Sequence, residues 1–261
     1  MMLIHGFSAT WRIWQPVLPA LEQRHDVIAT TLLGHHGGPS YEAGSPATPE
    51  AMADALEQDL DRAGIERAHL VGNSLGGWLA LELASRGRAL STVALAPAGG
   101  WAAGGKEERR LGRMFRNNYR LLRVLGENGP RMTRRPRFRT LVLHDVVAHP
   151  ERVSAPLAVE MMEGAAGCVI YLPFLEHATS GGFGELGTIE SPVRIAWGTK
   201  DRILHWPGYA QRLRQMGPGA EWVELADIGH CPMLDDAEAT VRTIFELTER
   251  VDAERAAATP A

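Results

Sequence analysis

His69-Leu70-Val71-Gly72-Asn73-Ser74-Leu75-Gly76-Gly77 is the stretch on which the reading of this chain turns. His69-Leu70-Val71 reads as a short buried strand, and a helix with Leu79 and Leu83 on one face follows the glycines and ends near Gly87. Gly72 and Gly76 flank Ser74 at minus two and plus two. A serine forced out of a tight strand-to-helix turn needs neighbours that small, because strand and helix pass close together there. Its hydroxyl then stands above the C-terminal edge of a sheet, and the N–H of Leu75, at the helix start, faces the space beside it. A glycine-rich turn with a capping serine would carry the same letters, so the motif alone leaves both readings open.

Working outward, the chain alternates strands and helices. Leu3-Ile4-His5 is a strand end running into Gly6, and Val27 to Leu33 is a second strand closed by Gly34-His35-His36-Gly37-Gly38-Pro39. Thr48-Pro49-Glu50 opens a helix with Met52, Leu56 and Leu60 on one face, which Gly64 stops. Thr92 to Leu95 is the next strand; Val193 to Trp197 and Trp222 to Leu225 are later ones, with a helix around Tyr209 to Met216 and a last helix from Ala237. The tail from Ala256 to Ala261 is expected to fray. Strands and helices at this pitch predict an α/β fold with a mostly parallel, doubly wound sheet. Between Gly99 and Gly187 helical patterns continue without strands, so residues 99–187 read as a helical cap inserted into a core of 1–98 and 188–261.

Two later strands each end on a reactive group. Trp197-Gly198-Thr199-Lys200-Asp201 places an acid just past one, and Ile228-Gly229-His230 places a histidine past the next. Alone, Asp201 could cap a turn and His230 could be an ordinary loop histidine. Taken with Ser74, they give a nucleophile, an orienting acid and a base at C-terminal strand ends, where open α/β sheets collect ligands.

On these residues the chain resembles the α/β-hydrolase superfamily, in its branch of small capped esterases, lactonases and C–C hydrolases. The matched stretches are His5-Gly6-Phe7, Gly34-His35, Gly72 to Gly77, Gly198 to Asp201, and Gly229-His230-Cys231-Pro232-Met233-Leu234-Asp235. The resemblance implies Ser74, His230 and Asp201 as a catalytic triad, the backbone N–H groups of Phe7 and Leu75 as an oxyanion hole, and no cofactor. It implies hydrolysis of a carboxylic ester or lactone through an acyl-enzyme. Dehalogenases and epoxide hydrolases of this fold use an aspartate at the elbow, where this chain has Ser74. C–C hydrolysis is the second reading, weakened because such enzymes show a tryptophan soon after the histidine, whereas Cys231-Pro232-Met233 stands here. A non-catalytic binding protein on the same fold is the third. Relatives also carry two strands before the His-Gly strand, which here begins at residue 1. Either the true start lies upstream, or the sheet lacks that pair and has six parallel strands in the spatial order second-first-third-fourth-fifth-sixth. In the latter case Val27–Leu33 lies at an edge that invites a second copy, so the expectation is a missing N-terminal extension, or else a homodimer or aggregation through that edge.

Composition excludes other classes. With 45% apolar and 22% charged residues the chain is neither disordered nor an integral membrane protein, and no apolar run reaches a spanning length. A net charge of −4 argues against nucleic acid as a main partner. Cys168 and Cys231 show no disulfide or metal-ligand spacing, and no basic segment with an apolar core opens the chain, which predicts a reducing, cytoplasmic setting. His5, His35 and His36 lie close in the pattern but lack a carboxylate or cysteine at ligand spacing, so no metal is expected and His5 is taken as a loop-shaping residue. Phe115, Tyr119, Phe138, Tyr171, Phe174 and Phe183, with Trp11 and Met233, are candidates for the pocket wall. Between Lys106 and Arg139 twelve Lys/Arg stand against three Glu. A solvated helical face explains that run, and an electrostatic guide for anionic substrates or surfaces is the alternative.

Overall fold

The computed structural model of the protein describes residues 1–216 and 219–258. Six strands pair in parallel in the order β2-β1-β3-β4-β5-β6, as expected. They are β1 (Met2–Ile4), β2 (Ile28–Thr30), β3 (Ala68–Asn73), β4 (Ala89–Leu95), β5 (Val193–Gly198) and β6 (Glu221–Leu225). The helices used below are α1 (Pro49–Arg62), α2 (Leu75–Ser85), α3 (Lys106–Leu125), α4 (Asn128–Thr133), α5 (Pro136–Leu143), α6 (Ala155–Ala166), α7 (Tyr171–Ala178), α8 (Gln211–Met216) and α9 (Ala237–Ala258). Helices α3 to α7 all fall between β4 and β5, and among the described residues no strand interrupts them.

The period-two alternation of strand side chains divides the core into two layers. Met2, Ile4, Leu70, Ala94, Ile195 and Trp197 point into one, where Met52, Leu56 and Leu60 of α1 pack. Leu3, Val71, Val93, Leu95 and Ala196 point into the other, against Ile244, Leu247 and Val251 of α9. Thr48 caps α1 as its sequence predicts, its hydroxyl accepting from the Ala51 N–H at 3.2 Å.

Some boundaries differ from the sequence reading. The second strand shortens from Val27–Leu33 to three residues, because only Ile28 to Thr30 keep register with Met2 to Ile4. Within the region read as helical, the helix Pro136–Leu143 ends at Leu143 and the chain continues as turn. Ala256 to Ala258 extend α9 instead of fraying; residues 259–261 lie outside the described residues.

The sheet's topology fixes where a ligand can go. After β1 the chain adds β2 on one side and then returns to place β3 on the other. Connections leaving β1 and β3 therefore diverge, opening a crevice at their C-terminal ends. Gly6-Phe7 follows β1 and Ser74 follows β3 at that point.

Two buried histidines brace the crevice floor. His5 Nε2 accepts from the Leu32 N–H at 3.0 Å, so its proton sits on Nδ1, which donates to Gly6 O at 2.7 Å. His35 donates from Nδ1 to Leu33 O at 3.1 Å and meets His5 edge-on at 5.0 Å between centroids. Burial holds His5 well below the usual histidine range and pulls His35 down to about 4. An unfolded histidine titrates near roughly 6.5. Between those values the unfolded chain binds the extra proton, so the His35 contribution to stability is complete above about pH 6.5 and is lost as pH falls toward 4. The shift corresponds to about 3 kcal/mol. Urea unfolding at neutral and acid pH should show a drop for the wild type that is smaller by about 2–3 kcal/mol in His35→Gln. Equal drops in both proteins would refute this assignment.

Candidate active site

The turn after β3 is built around what its glycines leave out. A Cβ on Gly72 would lie 2.0 Å from Gly76 O, and one on Gly76 would lie 2.1 Å from Ile4 O. No side chain fits either position, so strand, helix and the neighbouring β1 approach backbone to backbone. Ser74 takes the strain, with φ 57° and ψ −118°. A non-glycine residue held there costs about 1–3 kcal/mol. It is pinned through its backbone: its N–H donates to Leu95 O at 2.9 Å, and its carbonyl accepts from Trp78 at 3.1 Å and Ala98 at 2.9 Å.

Asp201 sits just past β5, buried, with its carboxylate fully engaged. Oδ1 accepts from the Ile203 and Leu204 N–H groups at 2.9 and 2.8 Å. Oδ2 contacts His230 Nδ1 at 2.8 Å. An ionised carboxylate only accepts, so the imidazole proton lies on Nδ1 and Nε2 keeps a lone pair. Asn73 joins the histidine loop to the serine turn: its Nδ2 donates to His230 O at 2.9 Å and to Leu95 O at 3.1 Å. Its Oδ1 accepts from the Cys231 thiol at 3.3 Å. Burial and the charges of Asp201 and Asp235 push the Cys231 pKa up, so this sulfur is a donor and not a competing nucleophile.

A second buried acid fixes the same loop. Asp235 Oδ2 accepts from Gly229 N at 2.7 Å and Ala148 N at 2.9 Å, and Oδ1 from His149 N at 2.8 Å. It thus ties the residue before His230 to the segment between α5 and α6. Asp235 stands in a matched stretch with no role assigned to it by sequence, since bonds to backbone 86 and 87 residues away leave no local signal.

Ser74 and Leu75 open into a narrow cavity of about 50 Å³. Phe7, Trp101, Phe115, Phe174, Phe183 and Leu204 supply much of its wall. Three of the aromatic candidates, Phe115, Phe174 and Phe183, therefore line it. Tyr171 and Tyr119 stand behind: Tyr171 packs on Phe7 at 4.7 Å between centroids and Tyr119 on Tyr171 at 5.2 Å. Phe138, Trp11 and Met233 are not among the lining residues, and Met233 is buried in the opposite core layer. Trp101 and Glu108 line the cavity without having been foreseen. The buried Glu108 carboxylate accepts from Gly181 N at 2.8 Å and from Gly104 N, clasping the start of α3 to the loop after α7.

Phe7 and Leu75 border the cavity together. Among the described residues the turn and loop hydrogen bonds use neither of their N–H groups, while Ala9 N–H already donates to Gly6 O at 3.2 Å. Of the three neighbouring histidines, His5 and His35 touch but His5 spends both nitrogens on backbone, and His36 is exposed.

A sequence model of the "Alpha/beta hydrolase family" matches residues 1–243. Epoxide hydrolase EphH of Mycobacterium tuberculosis (strain H37Rv) is 33% identical over 186 residues, covering 70% of this chain and 87% of that protein. A putative carbamate hydrolase, RutD of Stutzerimonas stutzeri (strain A1501), is 27% identical over 247 residues, covering 91% of this chain and 87% of that protein. The crystal structure of the enol-lactonase from Burkholderia xenovorans LB400 superposes with a TM-score of 0.72 at 20% identity, covering 95% of this chain and 90% of that one, a likeness of fold.

Proposed function

Since the chain belongs to the alpha/beta hydrolase family, we propose that it is a serine hydrolase cleaving carboxylic esters or lactones through an acyl-enzyme. The observation that carries this reading is the 2.8 Å contact of His230 Nδ1 with Asp201. It leaves the other imidazole nitrogen free to take a proton from a serine presented at φ 57°. Ser74 Oγ attacks the carbonyl carbon as Nε2 accepts its proton; Asp201 holds the tautomer and stabilises the imidazolium. Charge on the carbonyl oxygen is met by the Phe7 and Leu75 N–H groups, one such donor being worth about 3–4 kcal/mol in comparable sites. The leaving alcohol takes the proton from His230, and water attacks the acyl-enzyme by the same route.

The name of the mycobacterial relative raises epoxides as substrates, and the nucleophile argues against them. Serine attack on an epoxide carbon would leave a dialkyl ether, which has no carbonyl for water to attack. A carboxylate nucleophile would leave a hydrolysable ester. Ser74 is therefore suited to acyl transfer. The aromatic, largely apolar wall supports an uncharged acyl or lactone moiety.

The test is labelling with a fluorophosphonate, followed by peptide mass analysis and a panel of p-nitrophenyl esters and lactones of rising size. An adduct on Ser74 and turnover of at least one acyl series are expected. No adduct, with no turnover by a folded protein, would overturn the reading in favour of a binding protein.

A further inference from the structure

Helix α3 has two unlike faces. Leu111, Phe115 and Leu122 pack toward the core, and the first two also line the cavity. Arg109, Arg113, Arg116, Arg120 and Arg123 are all exposed. Their spacing of four, three, four and three residues puts them in one stripe along the outer face. Four of them, with Asn117, border a common groove.

Several arginines elsewhere are held by clusters of acids. Arg86 holds Asp54, Glu57 and Glu82; Arg88 holds Glu57 and Asp61; Arg194 holds Glu221 and Glu246. Among the described residues the α3 stripe has no such partner: Arg109 reaches Gly104 O, and Arg120 reaches Asn117 Oδ1 at 3.3 Å. Five like charges one turn apart repel one another, and among the described residues no acid compensates the stripe.

Apolar exposure concentrates in the same region. Among the described residues the exposed large hydrophobic side chains are Leu121, Val124, Leu141, Val169 and Leu172, all between β4 and β5. Val124 is 84% and Val169 66% exposed. Val124 follows Arg123 at the C-terminal end of the stripe, and Arg123, Val169 and Leu172 border one cleft. A soluble polyanion would satisfy the arginines but leave the valines and leucines in water. A surface presenting anionic headgroups above acyl chains would take both.

We propose that the outer face of α3, with the apolar rim at its C-terminal end, docks the protein onto an anionic lipid surface. Among the described residues no single helix is long and apolar enough to cross a membrane, and peripheral docking needs none. Each cation near such a surface strengthens partitioning by about fivefold, and the attraction weakens as salt shortens the screening length.

The experiment is co-sedimentation of the full chain with vesicles of pure phosphatidylcholine and with vesicles one-third phosphatidylglycerol. Binding is expected on the mixed vesicles only, and falling with salt. Joint replacement Arg113→Gln, Arg116→Gln and Arg120→Gln should weaken it by about a hundredfold. The same three positions as lysine should retain it, and hydrolysis of a water-soluble ester should be unchanged in both variants. Joint Val124→Ser and Val169→Ser should weaken binding with little change in its salt dependence. Absence of binding, equal binding to both vesicle types, or binding undiminished by the glutamines would overturn the proposal. Retention on heparin as tight as on vesicles and indifferent to the valine changes would assign the stripe to a soluble polyanion and overturn it equally.

Discussion

Ser74→Ala is expected to lower acyl-ester turnover by about 10⁶-fold, some 8 kcal/mol of transition-state stabilisation, with KM little changed. The size of the effect follows from the loss of the covalent route: His230 and Asp201 keep their contact but have no hydroxyl to deprotonate. Stability should respond differently. Alanine at position 74 inherits the same φ of 57° and so keeps the strain. Ser74→Gly abolishes turnover equally but relieves it, offset in part by glycine's larger chain entropy. The glycine variant should therefore melt at or above the wild-type temperature, by up to a few degrees, while the alanine variant does not gain. A rise in Tm accompanied by loss of activity would mark strain held for function. Near wild-type turnover in Ser74→Ala, free of contaminating esterase, would remove the mechanism.

The parts of this architecture that could be read from sequence are those with local causes. Gly72 and Gly76 are demanded by backbone so close that an added Cβ would lie about 2.0 to 2.1 Å from it, so the turn advertises itself in five letters. Asp201 and His230 follow strands whose apolar runs are plain, and the strand order follows from the alternation of β and α. What stayed hidden acts over distance. Asp235 and Glu108 are buried acids whose partners are backbone N–H groups, and no periodicity distinguishes them from surface acids. Trp101 follows two glycines in a loop and meets Phe183 and Tyr209, both far along the chain, edge-on at 5.2 and 6.0 Å between centroids. The aromatics chosen by helical spacing divided for the same reason: spacing tells which residues share a face, and tertiary packing decides what that face meets. β2 is shorter than its apolar run because an edge strand is limited by its single neighbour, and β1 offers it three residues.

Asp201→Asn tests the orientation of the imidazole separately from the presence of the nucleophile. The native carboxylate serves two kinds of donor: Oδ1 takes the Ile203 and Leu204 N–H groups, and Oδ2 faces His230 Nδ1. An asparagine has one oxygen and one NH₂. Two backbone donors hold the oxygen at the Oδ1 position, because turning the amide would set its NH₂ against both of them. The NH₂ is then presented to His230 Nδ1, which must become the acceptor. The ring proton moves to Nε2, and the nitrogen that should receive the Ser74 proton already carries one. Turnover should fall by about 10⁴-fold, less than for Ser74→Ala, because the nucleophile and both N–H donors remain. The fold should persist, since side-chain volume and the Oδ1 bonds are conserved. NMR of ¹⁵N-labelled histidine would report the tautomer directly, with the proton on Nδ1 of His230 in the wild type and on Nε2 in the variant. If Asp201→Asn lost activity with the wild-type tautomer intact, Asp201 would act by charge alone. If activity were retained, another acid would have to orient His230, and the assignment of Asp201 would fail.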